Sequence, residues 1–384
     1  MSQLPDIVTL RRELHAHPEL SLREFETARR IDGWLRTLGL KPRRIARTGL
    51  TATLGGRRRA GRTILARADM DALPLHEETG LSFASQNDGV MHACGHDCHM
   101  ASLLTATEGL VRRPPEKGRV KLLFQPGEEG ANGMGKCIEA GILDRPTVDA
   151  AVGVHVWQWE KVGRIGLVKG PCMAAIDLFE IRIRGRGGHA ADPHNTIDPV
   201  VVAAHIVTAL QTIVSRNVGP QQTAVVTVGS IQAGTANNVI PEEAVLRGTA
   251  RTFEGAVGRK VARRVTRIAK DVARAFGATA EVDYEFFLPA TVNDDDMVDR
   301  AWVVAESIVG KRNVVRAERS MASEDMSLAL AAVPGVFAFV GAANGKKSTS
   351  HSHHHPRFDV DEGCLPVAAA FMEDFVRHYL DDDS

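Results

Sequence analysis

The chain carries no net charge, no long apolar run and few cysteines, and each lack closes off a class of function. Lys+Arg and Asp+Glu are equal at 47 each in 384 residues, so no general electrostatic pull draws it toward nucleic acid or an anionic membrane. No stretch approaches the roughly 20 consecutive apolar residues that span a bilayer. The first residues, MSQLPDIVTLRREL, lack the basic start and apolar run of a secretory signal. Five cysteines is an odd number in a long chain, which argues against a disulfide framework and for a reducing, cytoplasmic setting. What remains is a globular balance of 44% apolar and 24% charged residues, long enough for one large domain and a smaller one.

Apolar periodicity divides the chain. Ser21-Leu-Arg-Glu24 reads as a capping box before a helix with apolar Phe25, Ala28, Ile31, Leu35 and Leu38, stopped by Gly39. Short apolar runs at Thr63–Ala68, Val120–Phe124 and Ala150–Val154 are too short for helices, and a helical stretch from about Cys98 to Val111 separates the first two. This alternation predicts an α/β layer with a mostly parallel sheet and flanking helices. Ligands bind such sheets beyond the carboxyl ends of the strands. There the chain places Asp69-Met-Asp71, Gln125-Pro-Gly-Glu128-Glu129 and His155.

From about residue 175 the order becomes β-α-β-β-α-β, the pattern of a ferredoxin-like α+β unit. The predicted division is 1–174 for the first part of a catalytic domain, 175–287 for an inserted domain and 288–384 for the return.

The densest set of potential ligands is Met91-His92-Ala-Cys94-Gly-His96-Asp97-Cys98-His99. Thiolate and imidazole suit zinc and neighbouring divalent metals, and Gly95 lets the backbone turn so that Cys94 and His96 point to one centre. Cys94 as a nucleophile is the alternative, but its histidine neighbours favour ligation. The other four cysteines read as packing residues. In Glu128-Glu129, adjacent carboxylates project differently, so one can bind a metal while the other faces a reacting water. His155 ends an apolar run, where a lone histidine is more often a core residue. One histidine of the tract His351-Ser-His353-His354-His355 suffices as a further ligand, and the sequence alone does not choose it. Gly187-Gly188-His189, Asn238 and Arg251 are weak signals taken singly.

Taken together, RRELHAHPELSLREFETA, ARADMDALPL, MHACGHDCHMA, FQPGEEG, GVHVW, GRGGHAADPHNTIDPV, AGTANNVIP, GTARTF, SEDMS and HHPRFDVDE resemble the metal-dependent family of aminoacylases, hippurate hydrolases and indole-acetyl-amino-acid hydrolases. Carboxypeptidase G-type and succinyl-diaminopimelate desuccinylase enzymes are its wider relatives. The resemblance implies a centre of two divalent ions (zinc, manganese or cobalt) held by Cys94, His96, Glu129, His155 and His354, the last because the family ligand lies two positions before the proline. It implies Glu128 as general base and acid, with Asp71 and Asp97 fixing the ligands from behind. Hydroxide held between the metals would attack the amide of an N-acyl amino acid. The inserted domain would be a lid through which the chain forms a homodimer or a dimer-based tetramer. Its His189 would stabilise the oxyanion in the opposite subunit, and Asn238 and Arg251 would hold the substrate. Two readings compete: a dipeptidase or carboxypeptidase of the wider family, and a catalytically silent metal-binding homologue. The Cys94-Gly-His96-Asp97 loop resembles the acyl-amino-acid branch rather than the aspartate-bridged peptidases.

Overall fold

A computed structural model describes residues 3–346, 349 and 351–382. The chain divides into two compact units: Met1–Cys172 with Val292–Glu318 and Asp325–Ser384, and Met173–Thr291 with Arg319–Glu324. The short return of 319–324 to the second unit has no counterpart in the sequence reading.

The first unit opens with α1 (Ile7–His15) and α2 (Phe25–Thr37), followed by β1 (Arg43–Ile45), β2 (Gly49–Gly55) and β3 (Arg58–Asp69). Then come α3 (His96–Arg112), β4 (Lys117–Gln125) and β5 (Ala150–Lys161). The eight-stranded sheet runs β1-β2-β4-β3-β5, then Gly335–Ala343, Ile165–Leu167 and Val314–Arg316. The pairings from β4 to β3, β5 and Gly335–Ala343 are parallel, and the β1-β2 and β2-β4 pairings are antiparallel. The fold is therefore mixed α/β with a parallel centre. Its central strands are buried on both faces, which is why they read as continuous apolar runs.

α2 buries Ala28, Ile31 and Leu35 on one stripe, as its spacing predicts. Its start differs from the capping-box reading: the N-cap residue is Glu24, whose side chain makes no cap bond, and the first-turn amide of Thr27 donates to Glu19 at 2.8 Å. Ser21 Oγ donates instead to the Asp71 carboxylate at 2.6 Å, and Glu24 accepts from the amides of Leu22 and Gly127, both at 2.9 Å. A charged acceptor in the interior outbids a local backbone donor. α1 carries no apolar signature strong enough to have been read. It is fixed by an Asp6 cap on Val8 and Thr9 and by burial of Leu10, Arg11 and Leu14.

The second unit has a four-stranded antiparallel sheet in the order Ala224–Ala233, Glu243–Thr252, Ala175–Arg184, Thr279–Leu288. Helices Pro199–Leu210 and Gly255–Ala275 cover one face, and the unit has its own core around Phe179, Ile181, Ile206, Leu246 and Val261. This is the ferredoxin-like arrangement. The helical stretch Pro199–Asn217 is apolar and long enough by composition to cross a membrane, which a count of consecutive apolar residues passes over. Its Val202, Ala203, Ile206, Leu210 and Ile213 are packed into the core of this unit.

Candidate active site

Three chain segments at the carboxyl side of the parallel strands in the first unit bring the ligand candidates together. Asp69 ends β3 and Asp71 follows it, the Glu128-Glu129 turn follows β4, and His155 lies on β5. The Cys94–His96 turn enters α3 through Gly95, whose φ is +89°. A side chain there is doubly excluded, since a Cβ would sit 2.3 Å from Val156 Cγ2.

The donor atoms of Cys94, His96 and His155 lie within 4.8 Å of one another, and so do those of Cys94, Glu129 and His354. The two sets share the thiol. Cys94 Sγ is 3.5 Å from His155 Nε2, and Glu129 Oε1 is 3.2 Å from His354 Nε2. A third set joins His96 to Glu128 and Glu129. Two clusters of imidazole, carboxylate and thiol donors sharing one residue could hold a pair of divalent cations.

The ring nitrogens are sorted by their hydrogen bonds. His96 Nδ1 donates to the Asp71 carbonyl at 2.8 Å and His155 Nδ1 to the Val156 carbonyl at 2.7 Å, so both rings turn Nε2 inward. His353 is committed elsewhere: its Nε2 donates to the Val156 carbonyl at 3.0 Å, and its ring stacks on Trp159. His355 Nδ1 accepts from the Arg357 amide, and its ring stacks on His351. His354, with φ +64° and its amide on the Ala93 carbonyl at 2.8 Å, is the member of the tract that faces Glu129.

Two observations fit this donor set to cations. His96 Nε2 is buried with no hydrogen-bond partner among the described residues, an arrangement that costs stability unless something binds there, and the buried Glu129 Oε1 faces His354 and Cys94. Burial, together with the Glu129 and Glu128 carboxylates, pushes the Cys94 thiol well above its usual range, so a thiolate here needs positive charge beside it.

Asp71 organises the turn that carries both glutamates. Its Oδ1 accepts from the Glu128 amide at 3.1 Å, and its Oδ2 accepts from the Glu129 amide at 2.9 Å. Burial opposes its charge, yet the bonds from His96 and Ser21 hold its carboxyl below the usual range. Asp97 is held by Arg11 Nε and His15 Nδ1, both at 2.8 Å. Despite burial, these two partners draw its carboxyl far below the usual range.

Sequence reasoning placed Asp69 and His99 in its clusters but gave them no role. Asp69 Oδ1 accepts from His99 Nδ1 at 2.6 Å, Arg67 donates to Asp69 Oδ2 at 2.7 Å, and His99 Nε2 accepts from the Val156 amide at 2.9 Å. Both ring nitrogens of His99 are therefore occupied. Arg67 also reaches Gln125 at 2.8 Å and Asp325 at 3.2 Å. The available signal was the pair of aspartates two apart after a strand, with His99 one helical turn beyond His96.

The remaining candidates lie in the second unit. His189 is exposed and pairs, through a two-residue ribbon, opposite Val239. Its Nδ1 accepts from the Ala191 amide at 3.0 Å. Asn238 is exposed beside it, and its carbonyl accepts from the Ala190 amide. Arg251 donates to the Met321 carbonyl at 3.0 Å and to Ser323 Oγ at 2.9 Å, tying the 319–324 segment to its sheet.

A family model described as peptidase family M20/M25/M40 matches residues 65–378. The chain belongs to this family. Among similar proteins is the N-acetyl-L-cysteine deacetylase of Bacillus subtilis, 41% identical over 379 residues, covering 98% of this chain and 89% of the relative. The N-acyl-L-amino acid amidohydrolase of Geobacillus stearothermophilus is 44% identical over 294 residues, covering 76% and 79%. Among solved structures, the Bacillus subtilis YXEP protein, a dinuclear metal binding peptidase of the M20 family, is 37% identical with TM-score 0.84, covering 97% of each chain. As a member of the M20/M25/M40 family, the chain is a metal-dependent hydrolase of amide bonds.

Proposed function

We propose that the chain hydrolyses N-acyl amino acids to a carboxylate and a free amino acid, using two divalent cations held by Cys94, His96, Glu129, His155 and His354. The observation that carries this reading is the pair of three-residue donor sets sharing Cys94 beside Glu128. When bound, two such cations acidify a water and polarise the amide carbonyl. Glu128, on the turn fixed by Asp71, takes the proton from the attacking water and returns it to the leaving nitrogen. Glu129 next to it is spent on ligation, so the two carboxylates divide the roles. His189 would donate to the oxygen that becomes negative in the tetrahedral state, acting from the partner subunit. Asn238 and Arg251 would engage the substrate carboxylate.

The names of the relatives at 41% and 44% identity favour N-acyl amino acids over peptides as substrates. A soft thiolate among imidazole and carboxylate donors suits zinc, manganese or cobalt. Association through the inserted unit, as a homodimer or dimer-based tetramer, is supported by its edge strand Ala224–Ala233, where Val225 and Ile231 are exposed. The five free cysteines favour the cytoplasm.

The deciding experiment assays hippurate, N-acetyl amino acids and dipeptides side by side, with metal analysis of the purified protein. Turnover of the N-acyl substrates at about two metals per chain is expected. Fast dipeptide hydrolysis with inert N-acyl compounds would overturn the substrate assignment.

A further inference from the structure

One end of the sheet in the first unit carries an open groove on one of its faces. In β1, β2 and β4, one face carries Leu50, Ala52, Leu54, Val120 and Leu122 into the core. The register pairs Arg43 with Thr51 and Thr53 with Lys121, so these side chains, with Arg119 two residues before Lys121, share the opposite face. Together with the segment 139–147 this face forms a groove of about 1220 Å³.

The groove is lined by six cations, Lys41, Arg43, Arg44, Arg119, Lys121 and Arg145, against two carboxylates, Glu139 and Asp144. The side chains of Lys41, Arg43, Arg119 and Arg145 form no hydrogen bond or ion pair with any described residue, and among the described residues neither carboxylate is within ion-pair distance of a cation, although Asp144 favours the charge of Lys121. Other surface arginines do pair closely, as in Arg29–Glu26 and Arg36–Asp32 at 2.6 Å and Arg247–Glu180 at 2.8 Å. Like charges on neighbouring strands repel, and a chain of zero net charge has carboxylates enough to avoid it.

The floor is built rather than accidental. Lys121 is only 4% exposed, and its Nζ donates to the carbonyls of Ile142 at 2.7 Å and Pro146 at 2.9 Å, and also to that of Asp144. It spends its donors on backbone, which fixes the segment carrying Arg145 at a left-handed φ of +37° and leaves its charge at the base of the groove.

We propose that this groove binds a polyvalent phosphate-bearing metabolite. Guanidinium forks match phosphate oxygens bidentately, and a groove of about 1220 Å³ exceeds the ~300–1,000 Å³ of most small-ligand sites, so it admits a phosphate group with an organic part. The groove lies wholly in the first unit, and none of the proposed metal ligands lines it.

Calorimetric titration of the metal-loaded protein with inorganic pyrophosphate tests the assignment, alongside an Arg43→Ser/Arg119→Ser double variant and Cys94→Ala. Saturable binding is expected that weakens with added salt and falls at least tenfold in the double variant. It should persist in Cys94→Ala, while the double variant melts normally and keeps its hydrolytic rate. Equal binding by the double variant, loss of binding in Cys94→Ala (which would move the anion to the metal centre) or no saturable binding at all would overturn it. Absence of hydrolysis in every protein would count against the amidohydrolase reading alone.

Discussion

Replacing Asp71 with asparagine isolates the contribution of one carboxylate to the turn that carries Glu128 and Glu129. The two oxygens of Asp71 accept the two consecutive amides at 3.1 and 2.9 Å, and Oδ2 also takes Ser21 Oγ at 2.6 Å. Asparagine keeps one acceptor oxygen and turns an NH2 toward the other amide, so a buried donor faces a donor. Leaving one such group unsatisfied costs about 1–3 kcal/mol, and demoting the surviving bond from charged to neutral costs about 1 more. Local opening of the turn should therefore become easier by roughly 2–4 kcal/mol, which is about 30- to 1,000-fold in its equilibrium constant. Hydrogen exchange read on a peptide covering 126–132 measures that opening directly, without assuming that a two-unit protein unfolds in one step. Metal affinity should fall with it by about 10- to 100-fold, as when outer carboxylates are lost elsewhere. Unchanged exchange in that peptide, with metals and turnover intact, would refute the claim that Asp71 holds the turn.

Glu128→Gln should keep its metals and lose about 100- to 10,000-fold in turnover; undiminished hydrolysis removes the general base. His354→Ala should lose metal while His353→Ala retains it, because only His354 faces Glu129; metal content after dialysis reads the difference. Burial is the first cause that raises the Glu24 carboxyl from 4.5 to about 7, so between those values the folded chain holds a proton that the unfolded chain has released. That preference favours folding fully below about pH 4.5 and is lost as pH climbs through 7. Glu24→Gln should abolish a pH-dependent contribution of ~3 kcal/mol, seen as a flatter profile of denaturant midpoint against pH from 5 to 8.

The parallel sheet and the ferredoxin-like unit were legible because each element's signal is local: apolar runs of strand length, and alternation in Leu178–Arg184. Where tertiary partners decide, the pattern misled. Ser21 and Glu24 have the spacing of a capping box, but Asp71 captures the serine and the Gly127 amide engages the glutamate, partners some 50 and 103 residues away. Of the site, Cys94, His96, Glu128 and Glu129 announced themselves as clusters beyond strand ends. The sequence reading took His354 from resemblance, whereas in the fold a backbone carbonyl claims His353 and a backbone amide claims His355. Asp69 and His99 were named in their clusters but given no role, because they hold each other and nothing in a sequence distinguishes an aspartate facing a cation from one facing a histidine.

That distinction is electrostatic, and the buried guanidinium groups make it. Asp69 has Arg67 at 2.7 Å and Asp97 has Arg11 at 2.8 Å, all four side chains at most 1% exposed. A buried carboxylate beside a buried guanidinium is already neutralised, and a further cation gains little from it. Cys94 and Glu129 have no guanidinium beside them: the Glu129 carboxylate meets His354 and Cys94, and Cys94 meets only imidazole and carboxylate. A buried thiol beside two carboxylates gives up its proton only where positive charge arrives with it. The two arginines therefore account for Asp69 and Asp97 as scaffold, while Asp71, buried without an arginine, is held instead by Ser21 and the Glu128 and Glu129 amides.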